Sequence, residues 1–236
     1  MTDSVRNVGV LDKSVAIVDA LVDGPASLAD LVDRTGLARP TVHRLAVALE
    51  AHDVLRRDEQ GRFRLGRRVL AWGRAAFGDS PLVDAAGPVL AALAEATGES
   101  AQLYVRDGDA RVCVAAADRR TGLRDTVPVG AVLALDAGSG AKALLAWTDA
   151  ADLPPRVDAA ELASVRRRGW AESVAEREAG VASVSAPVLD GVGRVVGAVS
   201  VSGPLDRLGP APGRRFGGAV AAAARDLERA AGLAGG

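Results

Sequence analysis

The chain predicts an α+β protein of two domains: a small helical domain closed by a strand pair, a linker helix, and a larger domain of helix-flanked antiparallel strands. Three observations predict it. Its 236 residues exceed the roughly 100 to 150 of one compact domain. Apolar residues recur at helical spacing along the first fifty positions. The turns DEQG, DGD and DGVG each separate two short runs of alternating or β-branched residues, as antiparallel strand pairs require. With 49% hydrophobic residues but only 3% aromatic ones, both cores must be built from Ala, Val and Leu.

Taking the elements in order, Leu11, Val15, Val18, Leu21 and Val22 mark a first helix from Val10 to Asp23, stopped by Gly24 and Pro25. Ser27 stands three residues before Asp30, the spacing of a capping box, and Gly36 can take the left-handed conformation that ends a second helix. Pro40 suits the first turn of a third, whose Val42, Leu45, Ala46 and Leu49 form a stripe at i, i+3, i+4 and i+7. Its other face carries Arg39, Thr41, His43 and Arg44. Two short helices joined through a glycine turn, the second polar at its start, predict a helix-turn-helix whose second helix enters the DNA major groove. VLRRD and RFRLG then flank DEQG as a hairpin or wing. Residues 1–66 are thus assigned to a winged helix-turn-helix DNA-binding domain.

Charge supports that assignment. The first 33 residues hold two basic side chains against six acidic ones, whereas residues 34–68 hold nine arginines against four acids. A local arginine cluster in a chain of formal net charge −1 is the footprint of one nucleic-acid-facing surface. Arg39, Thr41, His43 and Arg44 are the candidate base and phosphate readers. Arg56, Arg57, Arg62 and Arg64 bracket the wing turn, with 62 and 64 on one face opposite Phe63, and are candidates for phosphate or minor-groove contact. Ser27 is first a helix cap and second a phosphate contact.

RRVLAWGRAAFG, with Leu70, Trp72 and Phe77 near helical spacing, predicts a linker helix within residues 67–80, and residues 81–236 form the second domain. There, Asp84 to Thr97 is expected to be helical, with Pro88 tolerated in its first turns and Gly98 ending it. SAQLYVR and ARVCVAAA flank DGD, and GVASVSAPVL and RVVGAVSVSG flank DGVG. Helices are expected at Ala141 to Trp147, from about Asp158, and from about Gly213 to Ala231. The whole is an α+β sensor-like module.

Several function classes are excluded. The apolar stretches fall short of a membrane span and MTDSVRNVGV lacks a signal-peptide pattern, so a cytoplasmic protein without membrane partner is expected. One cysteine, Cys113, permits no internal disulfide or cysteine-rich zinc site, and its aliphatic neighbours favour a buried strand residue over a redox sensor. Both histidines, His43 and His52, lie in the first quarter, so the second domain has no His-based triad or metal site. No catalytic residue, metal or cofactor is expected, and an enzyme with a DNA-binding appendage is the weak alternative.

AGSGAK is not a phosphate loop, because a Walker motif needs four residues between its first glycine and Gly-Lys, then Ser or Thr. A helix start reached through small residues is the better account, its free amides suited to an acid group of a ligand. Lys142 follows that loop and is as readily a surface residue as a pocket cation. Alternation places Val181, Ser183 and Ser185 on one strand face and Ala198, Ser200 and Ser202 on another. Inward serines need partners, which a polar ligand or neighbouring backbone can supply.

LVDRTGLARPTVHRLAVALE resembles the helix-turn-helix of the IclR family of regulators, and RRDEQGRFRLG resembles that family's wing. VPVG at 127–130, AGSGAKALLAW at 137–147, RRRGWAESVAEREAGVASVSAPV at 166–188 and VVGAVSVSGP at 195–204 continue the likeness over nearly the whole chain. LARPTVHRLAVALE, TGESAQLY, GLRDTVPVG and GVASVSAPV are most similar to the actinobacterial NdgR-like branch, associated with control of amino-acid biosynthesis, leucine in particular. The resemblance implies an effector domain like the GAF fold, a homodimer or dimer of dimers, and a palindromic double-stranded DNA operator. It also implies a small-molecule effector, an amino acid or related carboxylate, contacted by Ser139, Gly140, Ser173, Val181, Ser183, Ser200 and Ser202. Many members carry Asp in place of Ser173 and Cys in place of Ser183, so the ligand here is expected to be held differently. A regulator that works without a ligand is the other alternative.

Overall fold

The computed structural model describes residues 9–77, 80–119, 121–122, 125, 127–155 and 157–234. Positions 123, 124 and 126 of GLRDTVPVG and the first eight residues lie outside them. The chain divides into two compact units, Met1–Asp79 and Ser80–Gly236.

In the first unit, α1 (Gly9–Asp19), α2 (Leu28–Thr35) and α3 (Arg39–Ala51) precede a two-stranded antiparallel ribbon, β1 (Leu55–Arg57) and β2 (Phe63–Leu65), and then α4 (Arg67–Phe77). The first helix is shorter than its apolar pattern, because turn-type bonds such as Val22 to Asp19 replace the helical ones before Gly24. Ser27 caps α2 as expected: its hydroxyl accepts from the Asp30 amide and the Asp30 carboxylate accepts from the Ser27 amide. Those bonds, the backbone one foremost, hold the Asp30 carboxyl below its ordinary range. Gly36 ends α2 at φ +65, a conformation that costs glycine little and other residues more. Ile17, Leu31, Val42, Leu45, Ala46, Leu55 and Phe63 meet in one core. Phe63 fastens the ribbon to the loop before α2, since it exchanges backbone hydrogen bonds with Ala26 at 2.9 and 2.8 Å.

The second unit opens with α5 (Pro81–Thr97), then β3 (Ser100–Asp107), β4 (Ala110–Ala117), β5 (Val132–Ala134), α6 (Ser139–Leu145), a 3-10 turn at Ala150–Asp152, and α7 (Ala159–Arg168). It continues with β6 (Ala171–Val174), β7 (Val181–Leu189), β8 (Val195–Pro204), α8 (Leu205–Leu208) and α9 (Pro212–Ala230). The six strands form one antiparallel sheet in the order β5-β4-β3-β8-β7-β6. Two hairpins are legible in the sequence; the edge strands β5 and β6 are additions, too short to show an alternation of their own.

Strand alternation divides the two faces chemically. Val184, Val188, Val199 and Val201 join Leu82, Leu90, Phe216 and Leu227 of α5 and α9 in one core. On the other face Tyr104, Cys113 and Ala198 pack with Leu144, Leu145, Leu162 and Val165 of α6 and α7. Ser183, Ser185, Ser200 and Ser202 alternate with the valines and therefore stand beneath α6. Trp170, between α7 and β6, lies on α9, where a Cβ at Gly213 or Gly217 would come within 1.9 or 2.5 Å of its ring. Those glycines make the groove that receives it, and Arg168 stacks 3.9 Å from its centroid.

Candidate DNA-contacting surface and effector pocket

On α3, burial of Val42, Leu45 and Ala46 in the core turns the opposite side of the helix outward. Arg39, His43 and Arg44 are exposed there and Thr41 is half-buried. Across the ribbon Arg56 and Arg64 are direct partners in register, both exposed. Like charges opposite one another weaken a strand pair unless an anion lies between them. Arg62 behaves differently, because Asp58 of the turn accepts from its Nε at 2.9 Å and pairs with it at 2.8 Å. Arg57, grouped with Arg56 at the wing turn by the sequence, instead stacks 4.1 Å above Phe63 and meets Glu50 at 3.3 Å. Ser27 uses its hydroxyl in the α2 cap.

In the second unit, Ser139 and Gly140 from α6 and Ser173 from β6 border a cavity between that helix and the sheet. Val181 and Ser183 from β7 and Ser200 and Ser202 from β8 complete the group the sequence singled out. The register brings Ser183 opposite Ser202 and Ser185 opposite Ser200. The hydroxyls bond to one another rather than to backbone: Ser139 Oγ lies 2.7 Å from both Ser183 and Ser185 Oγ, and Ser185 Oγ lies 2.8 Å from Ser200 Oγ. Free space in the cavity is about 30 Å³, room for a water or two.

The charged groups depart from the sequence-based expectation. The Gly138 amide, at the start of α6, already donates to Glu176 at 3.2 Å. Lys142 is neither on the surface nor in the cavity wall: it is buried, with Glu176 at 2.6 Å, Glu161 at 2.7 Å and the Glu172 carbonyl at 3.1 Å. The cations at the cavity are Arg111 and Arg177, neither of them foreseen. Arg111 is 3% exposed. Its Nη1 donates to the carbonyls of Ala134 and Ala137, the latter at 3.0 Å. Burial holds its guanidinium below the ordinary arginine range. Arg177 pairs with Asp125 at 3.5 Å and Glu178 at 3.8 Å. No sequence signal marks Arg111, since ARVCVAAA looks like any hairpin strand.

Cys113 is buried on β4, and burial pushes its thiol up to about 11. It therefore stays protonated at neutral pH and is a poor nucleophile. Among the described residues no group of His, Cys, Asp and Glu is arranged to hold a metal, and no helix is long and apolar enough to cross a membrane.

Comparison with known proteins agrees with both halves of this description. Residues 10–59 match the IclR helix-turn-helix domain, and residues 75–159 and 158–229 match the bacterial transcriptional regulator IclR C-terminal domain. The HTH-type transcriptional regulator BhcR of Paracoccus denitrificans is 32% identical over 92% of this chain and 85% of its own length. The crystal structure of Thermotoga maritima IclR superposes with TM-score 0.70 at 22% identity, covering 94% of this chain and 98% of that one. An IclR homolog from Microbacterium hydrocarbonoxydans, solved in complex with 4-hydroxybenzoate, gives TM-score 0.64 at 22% identity over 94% and 99% of the two chains. With both domains matched in order and a relative this similar along almost its whole length, the chain belongs to the IclR family of bacterial transcriptional regulators, not to an enzyme family.

Proposed function

We propose that this regulator binds a palindromic operator as a homodimer or dimer of dimers and that a small amino acid or related carboxylate, held in the cavity beneath α6, controls it. Arg39, Thr41, His43 and Arg44 read the major groove, while Arg56 and Arg64 hold phosphates beside it. The carrying observation is that Arg39, His43 and Arg44 are exposed on the side of α3 opposite its buried stripe. Replacing Arg44 with Ala is expected to weaken operator binding by about 1 to 3 kcal/mol, roughly five- to 150-fold, if it reads a base. Arg64→Ala should weaken all sequences alike and reduce the salt dependence. Arg62, engaged by Asp58, contributes less. Titrations of operator and scrambled duplex at several salt concentrations decide it, and unchanged affinity in both variants refutes this surface.

Dimerisation has its own support. Val10, Leu11 and Val15 on α1 and Leu70 and Trp72 on α4 are each more than half exposed, apolar side chains that a second copy would cover. Two-fold symmetry also matches half-sites one helical turn apart. Leu11→Glu combined with Trp72→Glu is expected to give a monomer with at least tenfold weaker operator binding, checked by sedimentation and footprinting. A dimer that survives both charges overturns this interface.

The pocket reading rests on the convergence of Ser139, Ser183, Ser200 and Ser202 on one cavity. Ligand binding need only favour one placement of the paired DNA-binding units to alter operator affinity. Genes of amino-acid metabolism, leucine-related ones included, are the targets this reading implies, and a genome-wide map of binding sites tests them. The cavity's small volume favours a second reading, a regulator that works without ligand. Thermal shift against amino acids and small acids separates the two, since a ligand of the folded state raises its melting temperature.

A further inference from the structure

We infer that Arg111 and Gln102 take the carboxylate, and Asp125 the ammonium group, of a small zwitterionic α-amino acid in the cavity beneath α6. This inference rests on that cavity being the effector site, and it adds the groups that choose the ligand.

Three buried side-chain atoms among the described residues lack a hydrogen-bond partner: Arg111 Nε, Gln102 Nε2 and Asp125 Oδ2. All three belong to this one region. Arg111 and Asp125 line the cavity. Gln102 is fully buried on β3 opposite Ser200, and its Oε1 accepts from Ser202 at 3.3 Å, which leaves its amide nitrogen idle. Buried polar atoms without partners are rare and costly, so two on the cavity wall and a third just behind it, bonded to the wall's Ser202, point to an occupant.

Their polarity describes that occupant. Two are donors and one is a carboxylate oxygen that Arg177 approaches to 3.5 Å without donating a hydrogen bond to it. A bare carboxylate would satisfy the donors and leave Asp125 facing a like charge. A neutral polyol would offer Arg111 Nε no charged acceptor. An α-amino acid supplies both signs a bond or two apart. The wall agrees, because Arg111 and Arg177 are matched there by Asp125 and Glu178, and a cavity balanced in charge favours a ligand of zero net charge. With free space of about 30 Å³, room for a water or two, the wall must open for any amino acid, least for glycine, alanine or serine and most for leucine.

Calorimetry on the full chain with glycine, L-alanine, L-serine, lactate, pyruvate and glycerol tests this. L-alanine is expected to bind at least about tenfold tighter than lactate or pyruvate, the worth of one charged hydrogen bond. Asp125→Asn should remove that preference while leaving lactate binding unchanged or stronger. Gln102→Met should weaken L-alanine and lactate alike, by about tenfold. Arg111→Lys, which keeps the charge but loses the fork, should do the same. Because Arg111 also holds two carbonyls, Gln102→Met, which breaks no backbone contact, keeps the test valid if Arg111→Lys unfolds. Lactate, pyruvate or glycerol binding as tightly as L-alanine overturns the inference, as does an unchanged preference in Asp125→Asn. If none of the six binds but leucine or 4-hydroxybenzoate does, and Ser183→Leu abolishes it, the effector site stands and only this inference falls. If no solute binds, both fall.

Discussion

Phe63→Ala is expected to unfold the N-terminal unit and abolish operator binding while the C-terminal unit stays folded. The ring is 1% exposed and sits in a core with Ile17, Leu31, Val42 and Leu55. Its own backbone ties β2 to Ala26, and Arg57 stacks on it. Truncating a buried Phe costs about 3 to 5 kcal/mol. A single core of fewer than about 80 residues rarely supplies more than 3 to 5 kcal/mol in all. Loss and total are therefore comparable. Hydrogen exchange should show the amides of α2, α3 and the ribbon unprotected in this variant and those of β3, β7 and β8 protected as before. Retained protection in α3, or retained operator affinity, would show that the ring matters less than its burial implies.

Replacing Lys142 with Met is the second substitution with a large expected effect, and it acts on the other unit. The ammonium gathers Glu161 of α7, Glu176 of the β6–β7 connection and the Glu172 carbonyl around the underside of α6. Glu176 in turn holds the Gly138 amide. Without the ammonium, two carboxylates converge with nothing between them. Removing one partner of a fully buried pair costs about 3 to 5 kcal/mol. The two glutamates are about one third exposed, so screening by water reduces this to roughly 2 kcal/mol. In a domain of this size that lowers the melting temperature by about 4 to 8 °C. Adding Glu176→Gln should recover part of the loss. A melting temperature that does not move would show the cluster to be a solvated surface pairing.

How far the sequence reaches can be judged from particular residues. The capping box at Ser27, the end of α2 at Gly36 and the α3 stripe are set by neighbours within four positions, and local rules suffice for them. The strand faces of β7 and β8 follow from a period of two, so the serines could be placed on one side before any fold was known. Arg111 and Lys142 could not. Their burial depends on carbonyls of Ala134 and Ala137, and on glutamates 19 and 34 positions away, which no local pattern brings near. Trp170 likewise depends on a groove made by two glycines of α9 more than forty residues later.

The two hairpins of the sheet, the helices beside them, the winged helix-turn-helix, the arginine-rich segment and the family were legible in the sequence alone, because periodicity, turn chemistry and local charge are written in consecutive residues. The tertiary structure decided which cations stay buried and which hydroxyls pair, and it left Arg111 and Asp125 on one cavity wall, and Gln102 just behind it, with bonds unmade. These outcomes depend on contacts between distant segments, where each polar group's state is fixed by the partner that packing brings within about 3 Å of it.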